Sequence, residues 1–462
     1  MHPHLEHDKL QFQALLEQVK HHSVSHYDQI ADHVVSPVSQ HKEHETLPAN
    51  GLGGEQTLQY FIQKFNQDLK ATAGPRYFGF VTGGATPASI AGDWLSSIYD
   101  QNAMGGNQGD VEYVIEQEAL SLFKQLLDLP DSLYASFVSG ATMANFVSLA
   151  VGRQWLAKQQ GINVAEEGLF HLNAFPILSA TPHSSIYKAI SMLGIGRKQL
   201  QVIPKQENRE AIDIPLLEQQ LQKLNGTPCI VIANCGTVNT GDSDDLHALL
   251  ALKEAYPFWL HVDAAFAGIA ACSPRYQAML SGIEKADSIT IDAHKWLNVP
   301  YDSAIQLTKH KALQYEVFYN AAPYLGHEPS MIDYTPENSR RLRALPVWFA
   351  LMAYGKEGYI DIVERHCRIA SLFGEKIKKS KLFTLLSPVH LNIVCFTLDQ
   401  KNITKETIHQ FLVKLNGSGK TFLTPTVYQG IPAIRIAVSN WITTEDDVKT
   451  TWDAIVAAAS HE

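Results

Sequence analysis

Between about residues 110 and 330, short apolar runs alternate with amphipathic helical stretches, and this alternation constrains the fold more than any other feature of the chain. Helical periodicity covers Glu112 to Asp128, Thr142 to Lys158, Ser184 to Leu193, Pro215 to Leu224 and Leu246 to Ala255. Between them lie Ala135 to Val138, Pro176 to Ala180, Cys229 to Ala233, Trp259 to Asp263 and Ser288 to Asp292, all mostly apolar. Short apolar strands separated by helices predict a largely parallel sheet covered on both faces, an α/β fold. Ligands of such sheets bind beyond the carboxyl ends of the strands, so polar residues just after a strand are the first candidates for chemistry.

Outside this region the pattern changes. Residues 1 to about 50 read as helical and hold nine of the twenty histidines, without a companion Cys, Asp or Glu pattern at ligand spacing, so they read as a solvated helical face and no metal is expected. Gly/Pro-rich sequence from Pro48 to Gly54 and from Gly74 to Phe80 ends this leader in an extended arm. Beyond about residue 340 a long helix from Tyr359 to Lys379 precedes strands near Phe383, Ile393 and Phe422, a strand from Ala433 to Val438 and a final helix from Thr444. The expected division is an N-terminal helical arm (1–100), a large domain (101–340) and a small α+β domain (341–462).

With Lys plus Arg at 37 and Asp plus Glu at 47, the net charge of −10 gives no basic footprint for nucleic acid or an anionic membrane. The longest apolar stretch, Ala344 to Tyr354, falls short of the ~20 residues that cross a bilayer. Five cysteines, an odd number with no CxxC pair, point to reduced, buried thiols and a cytoplasmic location.

The candidates sit where predicted strands give way to helices. Gly140, Ala141 and Thr142 follow an apolar run and open a helix, where free N–H groups suit a phosphate; an ordinary capped helix is the plainer reading. Asp263 ends a strand in front of small residues, either to hold a protonated ring nitrogen or to cap the next turn. Thirty-two residues on, Asp292-Ala293-His294-Lys295-Trp296 sets a lysine in a partly apolar site, a Schiff-base candidate. His183 starts a helix where its ring either stacks on a planar cofactor or serves the helix alone. Together, phosphate cradle, ring stacker, ring-nitrogen partner and imine lysine form the set a pyridoxal phosphate enzyme needs.

From about Arg76 to the C-terminus the chain resembles the group II pyridoxal-dependent decarboxylase family, relatives of the aromatic-L-amino-acid, histidine, tyrosine and glutamate decarboxylases. The resemblance rests on Arg76 to Gly79, Ser139 to Asn145, Pro182-His183, Trp259 to Gly268, Asp292 to Trp296, Arg340 to Arg343 and Arg435 to Asn440. It implies a fold-type-I, aspartate-aminotransferase-like architecture and decarboxylation of an L-amino acid to the amine and CO2 with pyridoxal 5'-phosphate. The family pattern implies that Ala141 and Thr142 bind the phosphate, with Asp292 and His294 beside it. His183 would stack on the ring, Asp263 pair with its nitrogen, and Lys295 carry the cofactor. The family's mobile loop carries a tyrosine, here Tyr324, as proton donor; members with Phe there tend toward oxidative deamination. Arg435, as substrate-carboxylate binder or structural ion pair, and Asn102, in the segment resembling the side-chain pocket, complete the set. A homodimer completed by the arm and the Tyr324 loop is also implied. Another pyridoxal enzyme, such as an aldehyde synthase or aminotransferase, is the main alternative; a non-catalytic relative is disfavoured because Lys295, Asp263 and His183 are all present.

Overall fold

The computed structural model describes every residue except 40, 42–43, 105–109, 321–328 and 461–462. The leader forms α1 (Pro3–Leu10), α2 (Phe12–Gln29) and α3 (Gly54–Phe65), none of which buries a side chain. They are followed by α4 (Pro87–Tyr99) and α5 (Val111–Leu126).

The alternating region then builds a seven-stranded sheet. Its strands are β1 (Tyr134–Val138), β2 (Ile177–Ser179), β3 (Leu200–Val202), β4 (Cys229–Asn234), β5 (Phe258–Asp263), β6 (Ser288–Asp292) and β7 (Ala304–Thr308). The helices among and after them are α6 (Ala141–Gln159), α7 (Val164–Glu167), α8 (Ser184–Met192), α9 (Ile214–Lys223), α10 (Leu246–Ala255) and α11 (Lys311–Phe318). Asp213 and Asp245 start α9 and α10 by accepting the backbone N–H three residues on, as N-caps do. The strand order is β1-β7-β6-β5-β4-β2-β3, and β2 to β6 run parallel through their neighbours. β7, which the apolar pattern did not announce, lies antiparallel between β1 and β6.

A second sheet, order β10-β11-β9-β8 and antiparallel throughout, comprises β8 (Phe383–Leu385), β9 (Ile393–Leu398), β10 (Thr424–Tyr428) and β11 (Ile431–Ala437). It packs with α12 (Ala344–Lys379), α13 (Lys405–Gly417) and α14 (Glu445–Ser460) around Phe373, Phe396 and Leu415. Two boundaries differ from the pattern-based expectation. The long helix starts at Ala344, because the apolar stretch 344–354 forms its first three turns ahead of a break at Gly355. Phe422 makes only a bridge to Tyr77, and the strand begins at Thr424.

The segment from Arg76 to Thr86 ties the two sheets together. Phe78 N–H donates to Phe422 O at 2.9 Å and Ala437 N–H to Phe78 O at 3.1 Å, while Thr86 N–H donates to Asn298 O at 3.0 Å, just past Lys295. No described helix is long and apolar enough to cross a membrane.

Candidate active site

Register places the sheet's polar strand ends level with one another. Val138 lies opposite Ala304, Ala304 opposite Asp292, Asp263 opposite Thr290 and Asn234 opposite Asp263. The loops that leave these ends border a cavity of about 760 Å³. His183, Asp263, Lys295 and Arg435 all line it. Four residues drawn from widely separated stretches of chain thus converge on one space.

Asp263 is nearly buried, and it accepts from Asn145 Nδ2 at 3.1 Å and from the Ala265 N–H at 3.2 Å. Lys295 Nζ sits 2.9 Å from Asp292 Oδ2. The second oxygen of Asp292 is buried without a hydrogen-bond partner and lies 3.6 Å from His294 Nε2. His294 Nδ1 accepts from the Ser303 N–H at 3.1 Å, and its ring packs on Tyr301 with centroids 4.4 Å apart. Burial lowers the proton affinity of both His183 and His294 below that of an ordinary imidazole, so both are neutral at neutral pH.

His183 serves as N-cap of α8, its Nδ1 accepting from the Ser185 N–H at 3.3 Å, and still lines the cavity. The N-cap role and a place on the cavity wall are therefore compatible for this histidine. Ala141 and Thr142 begin α6, whose N-terminus has no side-chain cap, and a Cβ at Gly140 would stand 3.3 Å from His294 Cε1. That helix end thus lies beside the Asp292–His294 corner. Arg435, on β11, is largely buried; its Nη1 donates to Val238 O at 2.8 Å and its Nε has no partner. No carboxylate pairs with it among the described residues, which disfavours the structural ion pair. Asn102 is not among the residues lining the cavity of its own chain; its Oδ1 accepts from the Arg340 N–H at 3.0 Å. Tyr324 lies outside the described residues.

Two lining residues, Tyr301 and Glu210, carried no signal of their own in the sequence, and Asn145 and His261 stand buried behind the wall. Tyr301 stands exposed at the wall. Glu210 is buried where Asn239 Nδ2 and Thr240 Oγ1 each donate to it at 3.0 Å. Asn145 was legible only as part of a motif. His261, two residues before Asp263 on a strand and so on the same face, is the one that strand periodicity points to.

An aldehyde-bearing, phosphorylated pyridine matches this donor set. A primary amine faces the cavity beside a carboxylate at the next strand end, His183 and Ala265 offer walls for a flat ring, and the uncapped α6 terminus offers N–H groups to an anion. The unpartnered buried atoms Thr82 Oγ1 and Arg435 Nε, both on cavity-lining residues, mark a space built for a polar occupant.

Residues 40–399 match the family model described as the pyridoxal-dependent decarboxylase conserved domain. An aromatic-L-amino-acid decarboxylase of Bacillus atrophaeus is 28% identical over 434 residues, covering 91% of this chain and 88% of that protein. A phenylacetaldehyde synthase of Arabidopsis thaliana is 25% identical, with 96% of each chain covered. Among solved structures, that of Oryza sativa TDC with PLP and tryptamine superposes with a TM-score of 0.90 at 22% identity, covering 97% of this chain and 98% of the other; at that identity the likeness is one of fold.

Proposed function

We propose, from the premise that this chain belongs to the pyridoxal-dependent decarboxylase family and is a pyridoxal-phosphate-dependent amino-acid decarboxylase, that the cavity beyond β5 and β6 is its active site and Lys295 its cofactor lysine. The observation that carries the assignment is the convergence of Lys295, Asp263 and His183 on one cavity from three strand ends. When bound, pyridoxal phosphate supplies the conjugated system that accepts the electrons of the breaking Cα–carboxyl bond.

The side chains divide the remaining work. Lys295 holds the cofactor covalently, and Asp292 is the carboxylate its ammonium pairs with otherwise. Asp263 holds a proton at the pyridine nitrogen. The α6 terminus, at Ala141 and Thr142, seats the phosphate, with His294 beside it. His183 lies against the ring as a neutral imidazole. Arg435 takes the substrate carboxylate, which gives its unpartnered Nε a partner. By fixing the carboxylate, Arg435 would help decide which bond to Cα breaks when the cofactor is bound. Tyr324 returns a proton to Cα. Asn102 contributes to substrate binding only where a homodimer brings it to the partner's cavity.

A homodimer is supported by α1 to α3, which leave Leu5, Leu10, Phe12 and Phe61 exposed. A cytoplasmic location fits five buried cysteines with no disulfide. Reconstitution with pyridoxal phosphate, borohydride reduction and peptide mapping test the site: the label belongs on Lys295, and a label on another lysine overturns the assignment. Screening amino acids for released CO2 then identifies the substrate.

The match to a phenylacetaldehyde synthase favours one second reading, oxidative deamination. Tyr324 argues for simple decarboxylation, and Tyr324→Phe separates the two. The variant is expected to keep cofactor and substrate, lose amine production by about 10²- to 10⁴-fold and release aldehyde, ammonia and peroxide with oxygen uptake. Amine at the parental rate without oxygen uptake shows that Tyr324 is not the donor.

A further inference from the structure

Asp263 stands at the end of a buried hydrogen-bond chain that the roles assigned so far do not use. Trp259 Nε1 on β5 lies 2.9 Å from Ser288 Oγ on β6, and the same hydroxyl lies 2.9 Å from His261 Nδ1. His261 Nε2 is 2.9 Å from Asn145 Oδ1 on α6, and Asn145 Nδ2 is 3.1 Å from Asp263 Oδ2. Trp259, Ser288, His261 and Asn145 are all at 0% exposure. The chain arises from two periodicities. Residues 259, 261 and 263 share one face of β5, and α6 crosses that face with Asn145 over His261 and Gly152 against the Trp259 ring.

Its ends fix every proton in it. An indole can only donate and an ionised carboxylate can only accept. Trp259 therefore donates to Ser288, the Ser288 hydroxyl to His261 Nδ1, His261 Nε2–H to Asn145 Oδ1, and the Asn145 amide nitrogen to Asp263. That nitrogen also lies 3.2 Å from Ser185 Oγ, whose hydroxyl is 2.8 Å from His183 Nδ1. A branch of the same chain thus leaves the His183 proton on Nε2. Burial holds His261 down to about 4, so it gains no second proton near neutral pH that would reverse a bond.

We propose that Asn145 and His261 are positioning residues for the cofactor, locking the Asn145 amide with its nitrogen toward Asp263 so that this carboxylate stays a charged acceptor aimed at the ring nitrogen. This rests on the cavity being the pyridoxal phosphate site. An asparagine amide has two orientations of nearly equal shape, half a turn apart. The His261 Nε2–H reinforces the orientation that Asp263 itself favours, because the flipped amide would set two donors face to face at His261 and two acceptors face to face at Asp263. Removal of the His261 donor is therefore felt at Asp263 although the two side chains make no direct hydrogen bond.

The test uses full-length protein reconstituted with pyridoxal phosphate carrying nitrogen-15 in the ring, and reads the ring-nitrogen resonance and the cofactor dissociation constant, neither of which depends on turnover. The parent is expected to show a protonated ring nitrogen. His261→Leu, which fills the space but donates nothing, and Asn145→Ala should both move the resonance toward neutral pyridine and weaken cofactor retention by about 10- to 100-fold. His261→Gln, whose amide can both donate to Asn145 and accept from Ser288, should restore most of the parental signal. Should His261→Leu fail to fold, Ser288→Ala removes the hydroxyl that keeps Nδ1 bare and should move both readings in the same direction. Parental resonance and affinity in a folded His261→Leu and Asn145→Ala, or in Ser288→Ala, overturn the proposal and leave the chain a packing device. A parent that takes up no pyridoxal phosphate overturns the site assignment with it, so the two failures are distinct.

Discussion

Gly83 runs so close to the lysine loop that a Cβ added there would stand 1.6 Å from the Lys295 carbonyl oxygen. Nothing in that contact can yield except backbone. Gly83→Ala is expected to lower stability by about 1 to 3 kcal/mol or more, and to weaken cofactor retention, because the displaced segment carries Lys295; thermal unfolding and dialysis of the holoenzyme measure the two. His261 gives a second residue-scale prediction. The folded protein binds its proton only near pH 4, whereas the unfolded chain binds it near the ordinary 6.5. Protons therefore favour the unfolded state between those values, and stability is lost as pH falls from 6.5 toward 4, by on the order of 3 kcal/mol. In denaturant titrations at several pH values, His261→Gln should lack this acid-side loss, so its stability relative to the parent should improve as pH falls. An unchanged difference across the window contradicts the buried neutral imidazole.

Elements repeat the lesson at larger size. α12 is two helical stretches joined at Gly355, where φ is 57° and ψ −168°, a conformation essentially reserved for glycine. A Cβ there would meet nothing within 4 Å, so the cost of Gly355→Ala is conformational and not steric, about 1 to 3 kcal/mol by chemical denaturation. Gly417→Ala, at the helical end of α13 with equally open surroundings, should be neutral or stabilising. The contrast between the two glycines checks the argument. Most elements of the large sheet were legible because β4, β5 and β6 are short, mostly apolar runs buried along their whole length and the helices between them are amphipathic. β7 was not. It follows β6 through residues 293–303 without a helix, and a strand that returns without a crossover must pair antiparallel, outside the pattern that revealed β1, β2, β4, β5 and β6; the three-residue β3 was not read from the sequence either.

At the scale of the whole molecule, the leader is out of balance with the rest of the chain. α1 to α3 hold exposed Leu5, Leu10, Phe12, Leu16 and Phe61, and their amphipathic sequence finds no core in its own subunit. Sedimentation at assay concentration is expected to show a homodimer burying above about 2,000 Å². Removal of residues 1–50 should shift it toward monomer and reduce activity. A fully active parental monomer would contradict both.

The sequence by itself determined the sheet class, the chain order of the candidate residues and the chemistry each can perform, since apolar periodicity and residue type are local properties. Only the tertiary structure decided that His183, Asp263, Lys295 and Arg435 share one cavity, because Arg435 is brought there by the second sheet. Only the tertiary structure excluded Asn102 from the cavity of its own chain and joined Trp259, Ser288, His261 and Asn145 into one oriented chain. The physical reason is that a hydrogen bond depends on position to a few tenths of an ångström. Position at that scale is set by how α6 packs across β5, which no local pattern in either segment records.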